Sequence, residues 1–469
     1  MKNITLEPAV ELLTMLRDST ISPMEMAEEF IQQIVLLNPR LNAFAHFDPD
    51  RIREEVRSAE RTAAGRGPLY GLPMTVKGSI ATAGYRCETG STLNRGYTPT
   101  EDALVVSRMR RAGATILGTT NCPEFLMAYE TENSLYGRTS NPWNLDYTAG
   151  GSSGGESAAI AAGLSSCGLG SDSGGSVREP AHFTGICSLK PTPGRIPVAG
   201  HLAGSAGPFS ILGAIGPMAR TMKDVQLLFD VLSGHDEADP IGASTPRRTP
   251  NFDELKQYPI GVFEDDGLIP VTPETRSAVR DAAKALEGQG FHVRKYRPRS
   301  LELARQLWWK FFIRCGLMLL EPLVQGREAE LSSTFRGYLE IARRDGPLSG
   351  EELLQSWCDC DAVRARLLEE TREYPVLLCP VCAIPAFRHG ERSWTVEGQS
   401  VDYLDAMRYT VWFNLLASPA AVVPIGMSPE GLPIGVQIAG RPYEDEIVLG
   451  IAAAVESEFG YLPPPLATN

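Results

Sequence analysis

Two glycine and serine clusters carry the strongest chemical signal in the sequence: Gly150-Gly-Ser152-Ser153-Gly-Gly155 and Gly170-Ser-Asp172-Ser173-Gly174-Gly175-Ser176-Val-Arg178. Glycines without a Cβ let successive backbone N–H groups turn toward one point and approach a ligand closely, which suits an anion or an oxyanion. Either cluster alone also reads as a glycine-rich turn. Phosphate binding is a further reading, but neither cluster has the Gly-x-x-x-x-Gly-Lys-Ser/Thr or Gly-x-Gly-x-x-Gly order, so nucleotides are disfavoured. Upstream, the strand-like run Leu72-Pro-Met-Thr-Val-Lys77 ends on a lysine. A serine hydroxyl is a poor nucleophile until a neighbouring base removes its proton, and a lysine does this only when neutral.

These segments belong to a longer ordered set. It runs Gly71-Leu-Pro-Met-Thr-Val-Lys77, Ala112-Gly-Ala-Thr-Ile-Leu-Gly-Thr-Thr-Asn121, Tyr136-Gly with Asn141-Pro142, both clusters, Gly185-Ile-Cys-Ser-Leu-Lys190-Pro-Thr192 and Gly431-Leu-Pro-Ile-Gly-Val-Gln437. In this order the sequence resembles the amidase-signature family of serine hydrolases, including stand-alone bacterial amidases and members like fatty acid amide hydrolase. The resemblance covers nearly all of the chain. It implies an α/β fold, a large mixed twisted β-sheet covered by α-helices, forming a single amidase-signature domain over residues 1–469 with a variable substrate-side insert at about 300–400.

Carried over position by position, Ser176 matches the family's acyl-forming nucleophile, Ser152 the bridging serine on a cis peptide bond, and Lys77 the general base. The base role requires Lys77 to be buried and its pKa lowered from about 10.4 toward about 7 to 8 by desolvation and hydrogen bonding. Lys77 then takes a proton from Ser152 while Ser152 takes one from Ser176, which attacks the carbonyl carbon. The N–H groups of Ser173, Gly174, Gly175 and Ser176 are the expected oxyanion hole. The leaving amine receives the relayed proton, and water attacks the acyl ester by the reverse path. No metal or organic cofactor is expected.

Asp172 and Arg178 are expected as a buried pair bracing the second cluster, since an unpaired buried charge is costly. Leu126, Met127 and Ser153 are expected on the substrate side, with Ser153 and Ser173 either hydrogen-bonding the relay or shaping the clusters. Asn121 and Gln437 read as scaffold. Six histidines are present, and the one nearest Ser176 in sequence, His182, reads as a packing or hydrogen-bonded residue. The family usually has Asp after the lysine, whereas this chain has Gly78-Ser79.

The expected substrates are small amides, apolar or aryl, with esters and carbamates within the family's range. Leu307-Trp-Trp-Lys-Phe-Phe-Ile-Arg-Cys-Gly-Leu-Met-Leu-Leu320 reads first as a core helix and second as the wall of an acyl pocket or channel, near a contact with a second copy of the chain. Two other functions remain open: the glutaminase subunit of a transfer-RNA-dependent amidotransferase, and a non-catalytic binding relative.

The elements that must position these residues alternate in type, as α/β folds require. Helices are expected from Pro8 to Arg17 and from Pro23 to about Leu37, the second stopped by Asn38-Pro39. A strand at 72–77, a helix over 103–112 and an apolar run at 114–117 follow, then an alanine-rich helical segment at 157–163. Residues 234–251, rich in Pro, Asp, Thr and Arg, read as an exposed connection, and beyond them 260–263, 273–287 and 291–294 read as a β-α-β unit.

Composition bounds the partners. Forty-four Lys and Arg against 57 Asp and Glu give a net charge of -13, which argues against a nucleic-acid ligand. The start lacks an apolar signal core and no stretch of about 18 uncharged apolar residues occurs, so no membrane span and a cytoplasmic location are expected. Nine cysteines without an export signal read as thiols. Of these, Cys358, Cys360, Cys379 and Cys382 have spacing that suits zinc, but the last two lie in an apolar run that reads as a buried strand.

Overall fold

The computed structural model describes residues 3–62, 67–202, 207–461 and 463–464. Eleven strands join one sheet: β1 (Phe44–Phe47), β2 (Pro73–Lys77), β3 (Thr115–Thr120), β4 (Cys167–Asp172), β5 (Cys187–Lys190), β6 (Ala214–Ala219), β7 (Ile260–Val262), β8 (Val293–Lys295), β9 (Val376–Pro380), β10 (Ala420–Met427) and β11 (Pro433–Ala439). Their order is β1-β3-β2-β4-β6-β5-β10-β11-β9-β7-β8. Parallel pairing joins β3, β2 and β4 at one end and β9, β7 and β8 at the other. The strands between pair antiparallel, so the sheet is mixed.

Both faces of the sheet are covered. Along β9, Val376 and Leu378 join one apolar cluster and Leu377 and Cys379 the other. Ala421 and Val423 alternate in the same way with Ala420 and Val422 on β10. Side chains of successive strand residues point to opposite faces, so the alternation marks a sheet held between two cores. It also explains why these strands read as unbroken apolar runs.

Most expected elements form where the sequence places them, and the exceptions are instructive. The helix Pro23–Leu41 runs through Pro39 and does not stop at Asn38. Proline removes one N–H, that which would pair with the carbonyl four residues back. That residue, Val35, is 61% exposed, on the face where water replaces the lost donor. The real end is Asn42, left-handed, whose N–H reaches Asn38 O at 2.7 Å. Asn38 Oδ1 then receives Ala43 N–H at 2.8 Å and steers the chain into β1. Residues 234–250 lack regular structure, but Gly234 and Ala243 N–H tie them to Arg195 O at 2.9 Å and Gly194 O at 3.0 Å. The expected β-α-β unit is present: β7, the helix Pro273–Gly288, and β8 parallel to β7.

The site lies where the parallel strands β3, β2 and β4 end. Lys77 is the last residue of β2 and Asp172 the last of β4, and the glycine and serine turn with Ser176 follows directly. Carboxyl ends of parallel strands are the usual place for ligands in such sheets. Among the described residues no helix is long and apolar enough to cross a membrane.

Candidate active site

Lys77 is fully buried, with Nζ 2.7 Å from Ser152 Oγ, 3.0 Å from Ser171 Oγ and 3.4 Å from Ser171 O. Burial pulls the amine down to about 8, against the opposing pull of Cys122, Asp172 and Glu156. Charge is costly in a dry site, and here desolvation outweighs the nearby groups. Ser152 is 1% exposed and follows Gly151 through a cis peptide bond. Gly78 is explained by space: its N–H donates to Thr120 O at 2.9 Å, and a Cβ would stand 2.8 Å from that oxygen. No side chain, aspartate included, fits behind Lys77 with this backbone.

The second cluster turns about Asp172. Its Oδ1 accepts Gly175 N–H at 2.8 Å and its Oδ2 accepts Val177 N–H at 3.2 Å. Arg178 donates to the same carboxylate from Nε and Nη2, each at 3.0 Å, and also reaches Asn414 Oδ1, Thr410 O and Gln437 Oε1. Burial pushes the Asp172 carboxyl up, but the Arg178 charge and hydrogen bonds and the Asn414 amide outweigh it and hold the carboxyl well below its ordinary range. Gln437 is thus a scaffold group that touches the brace, since its Nε2 donates to Pro380 O and Tyr409 O.

Two expectations need correction. Gly175 N–H is committed to Asp172, so it is not a free oxyanion donor. Among the described residues the N–H groups of Ser173, Gly174 and Ser176 have no acceptor and are the donors left over. Ser153 is not on the substrate side: it is fully buried, its Oγ pairs with Ser171 N–H and O at 3.3 Å each, and its own N–H donates to Ser176 O at 3.1 Å. It ties the two clusters together.

Ser176 is half-buried and faces a cavity of about 620 Å³. Among the described residues its Oγ has no hydrogen-bond partner, so the Lys77 to Ser152 contact is closed and the Ser152 to Ser176 contact is open. Leu126 and Met127 line the cavity with Ser176 and Gly174. The aromatic segment is partly core and partly cavity wall. The helix Leu301–Trp309 passes through a wide π turn, Lys310–Arg314, into the helix Cys315–Val324. Trp308 and Phe311 are buried, while Trp308, Trp309 and Phe312 also line the cavity. Trp308 and Phe312 stack at 4.8 Å, and Trp308 Nε1 donates to Ser173 O at 2.8 Å. Charged groups, including the ion pair of Glu130 with Arg392, also border the cavity.

Several contributors had no signal in the sequence. Ser171 shares Lys77 with Ser152, and Tyr129, Thr410 and Asn414 hold the turn around Asp172 and Gly174. Only Ser171 lies inside a glycine-rich cluster; Thr410 and Asn414 come from more than 230 residues away in sequence. His182 is fully buried, accepting Gly435 N–H on Nδ1 at 2.8 Å and donating from Nε2 to Ile384 O at 3.1 Å.

The structure thus brings together a buried lysine against one serine and, beside it, a second serine that opens on a cavity at the ends of parallel strands. The amidase family profile matches residues 25–449, and the chain belongs to that family. It is 32% identical to an indoleacetamide hydrolase from Bradyrhizobium diazoefficiens, over 97% of this chain and 87% of the relative. It is 34% identical to a glutamyl-tRNA(Gln) amidotransferase subunit from Roseiflexus castenholzii, over 94% of each. The solved structure of 6-aminohexanoate cyclic dimer hydrolase with its substrate superposes with a TM-score of 0.86 at 28% identity, covering 99% of this chain and 100% of that one. The chain is therefore an amide-hydrolysing enzyme of mixed α/β architecture.

Proposed function

We propose that the enzyme cleaves the amide bond of small apolar or aryl substrates through an acyl-Ser176 intermediate, with Ser152 and Lys77 carrying the proton. The observation that carries this reading is the buried Lys77 amine, 2.7 Å from Ser152 Oγ, beside a turn whose Ser176 opens on an aromatic-walled cavity. An amine near pKa 8 is partly neutral at neutral pH and accepts the Ser152 proton, and Ser152 accepts that of Ser176. The Ser152 to Ser176 contact closes with substrate bound, as catalytic hydrogen bonds are often loose before the Michaelis complex.

As Ser176 Oγ bonds to the carbonyl carbon, the free N–H groups of Ser173, Gly174 and Ser176 take the oxyanion. Each well-placed donor of this kind is worth about 3 kcal/mol in other hydrolases. The C–N bond then breaks, the amine leaves with the proton returned through Ser152, and water repeats the sequence on the ester. Esters and carbamates fit the same path.

The amidotransferase reading is tested in the same assay. Glutamine brings a free carboxylate and ammonium to the cavity, whereas the lining that contains Ser176 includes the apolar Leu126, Met127, Trp308 and Phe312, and of its charged groups Glu130 and Arg392 pair with each other. Turnover of aryl amide, ester and carbamate substrates, lost in Ser176→Ala and Lys77→Met, supports the proposal. Release of ammonia from free glutamine in preference to every neutral amide contradicts it.

A further inference from the structure

Asp172 braces the turn beside Ser176, and a second buried acid, Glu179, faces it. Glu179 is different in kind. It lies one turn after Ser176, is fully buried, and has one oxygen, Oε2, with no hydrogen-bond partner. Its Oε1 is 2.9 Å from Thr410 Oγ1, and that hydroxyl is 2.6 Å from Gly174 O. A Cβ at Gly175, whose φ is +125°, would stand 2.4 Å from the same Oε1, so the acid is packed against the turn.

The protons in this chain can be counted. Two oxygen to oxygen contacts shorter than 3 Å each need a hydrogen, and Thr410 has one. Gly174 O is an acceptor only and makes the shorter contact, so Thr410 directs its hydrogen there, and a protonated Glu179 supplies the hydrogen for the second contact. An ionised carboxylate would also leave Oε2 charged and unpaired in a dry site, which is far costlier than a neutral acid.

From this geometry we propose that Glu179 is a protonated carboxylic acid that acts through Thr410 as a positioning residue for the oxyanion turn. Resting on the acyl-Ser176 reading, the inference assigns the chain Glu179 to Thr410 to Gly174 O the task of fixing the peptide that precedes Gly175. The other side of that peptide is fixed by Gly175 N–H on Asp172, and Tyr129 Oη also donates to Gly174 O at 3.3 Å. A peptide held from both sides cannot rotate, so the turn that carries the N–H groups of Ser173, Gly174 and Ser176 keeps its shape. The groups facing Glu179 are Asp172, Arg178, Tyr129, Tyr403 and Cys382, and burial leads in pushing its carboxyl well above the ordinary carboxylate range.

A fluorophosphonate tests this without knowledge of the natural substrate, because its attack by Ser176 also builds negative oxygen in the turn. The maximal labelling rate and the half-saturating probe concentration are measured for wild type, Glu179→Gln, Glu179→Leu, Thr410→Ser and Thr410→Val, with melting temperature recorded for each. Gln and Ser keep the donors and stay within about threefold of wild type, while Leu and Val lower the maximal rate about 10- to 100-fold, with half-saturation little changed. The double variant Glu179→Leu/Thr410→Val is no slower than the worse single, since the two act in series. The inference is overturned if Glu179→Gln is as slow as Glu179→Leu, or if Thr410→Val labels at the wild-type rate. Labelling that survives in Ser176→Ala sinks the acyl-Ser176 reading instead.

Discussion

Arg178 grips both oxygens of Asp172, Nη2 on Oδ1 and Nε on Oδ2, each at 3.0 Å, and both side chains are fully buried. The same carboxylate holds the N–H groups of Gly175 and Val177, on either side of Ser176. One ion pair therefore sets the shape of the turn that presents Ser176.

Breaking that pair leaves a buried carboxylate uncompensated, which costs about 3–5 kcal/mol. Arg178→Met is predicted to lose that much stability in urea denaturation at pH 7. The Asp172 carboxyl is depressed on folding, so its contribution is present above the unfolded value of about 4 and is lost as pH falls through the folded value. In Arg178→Met the largest downward pull on the carboxyl is gone and only the Gly175, Val177 and Asn414 donors remain, so the acid loss of stability moves to higher pH; an unchanged acid profile would show that the pair is not the brace.

His182 gives a separate pH signature. Burial lowers the imidazole to about 4, and its neutral form is fixed by Gly435 and Ile384. The unfolded chain takes up this proton near pH 6.5 and the folded one near pH 4, so stability is full above 6.5 and declines by about 3 kcal/mol on acidification through that window. His182→Gln is predicted to be less stable than wild type at pH 7, to lack the decline between pH 6.5 and 4, and to keep its turnover number once folded. Loss of turnover in a fully folded His182→Gln would give the imidazole a part in the reaction.

Trp308 and Phe312 stack on each other yet do different work. Trp308 holds Ser173 O, part of the peptide that carries Gly174 N–H, so Trp308→Phe is predicted to lower kcat about tenfold with KM little changed. Phe312 offers only its ring, so Phe312→Ala is predicted to raise KM for aryl amides about tenfold while kcat changes less. Steady-state kinetics on one aryl amide separates them; identical effects on KM would mean that Trp308 does no more than line the cavity.

Much of this was readable from local sequence, where local chemistry decides. The lysine that ends β2, the two glycine clusters and the β7-helix-β8 unit each follow from short patterns. Pro39 misleads because it sits in the last turn of its helix, where the carbonyl it frees, that of Val35, lies on the wet face. Gly175 misleads because composition shows that an N–H is available and not what it faces; Asp172, three residues earlier, claims it. Thr410 and Asn414 lie far beyond any sequence window that contains Ser176, and tertiary packing alone brings them to Gly174 and Asp172.

The central claim is that an uncharged amine at Lys77 starts the reaction, and the pH dependence of kcat/KM on a neutral aryl amide tests it most directly, since that ratio reports the free enzyme's base. With Lys77 near 8, kcat/KM is predicted to rise about tenfold per pH unit from 6 and to level above 8. A flat profile from pH 6 to 10, in an enzyme shown to be folded throughout, would mean that no group of this pKa is the base and would contradict the account.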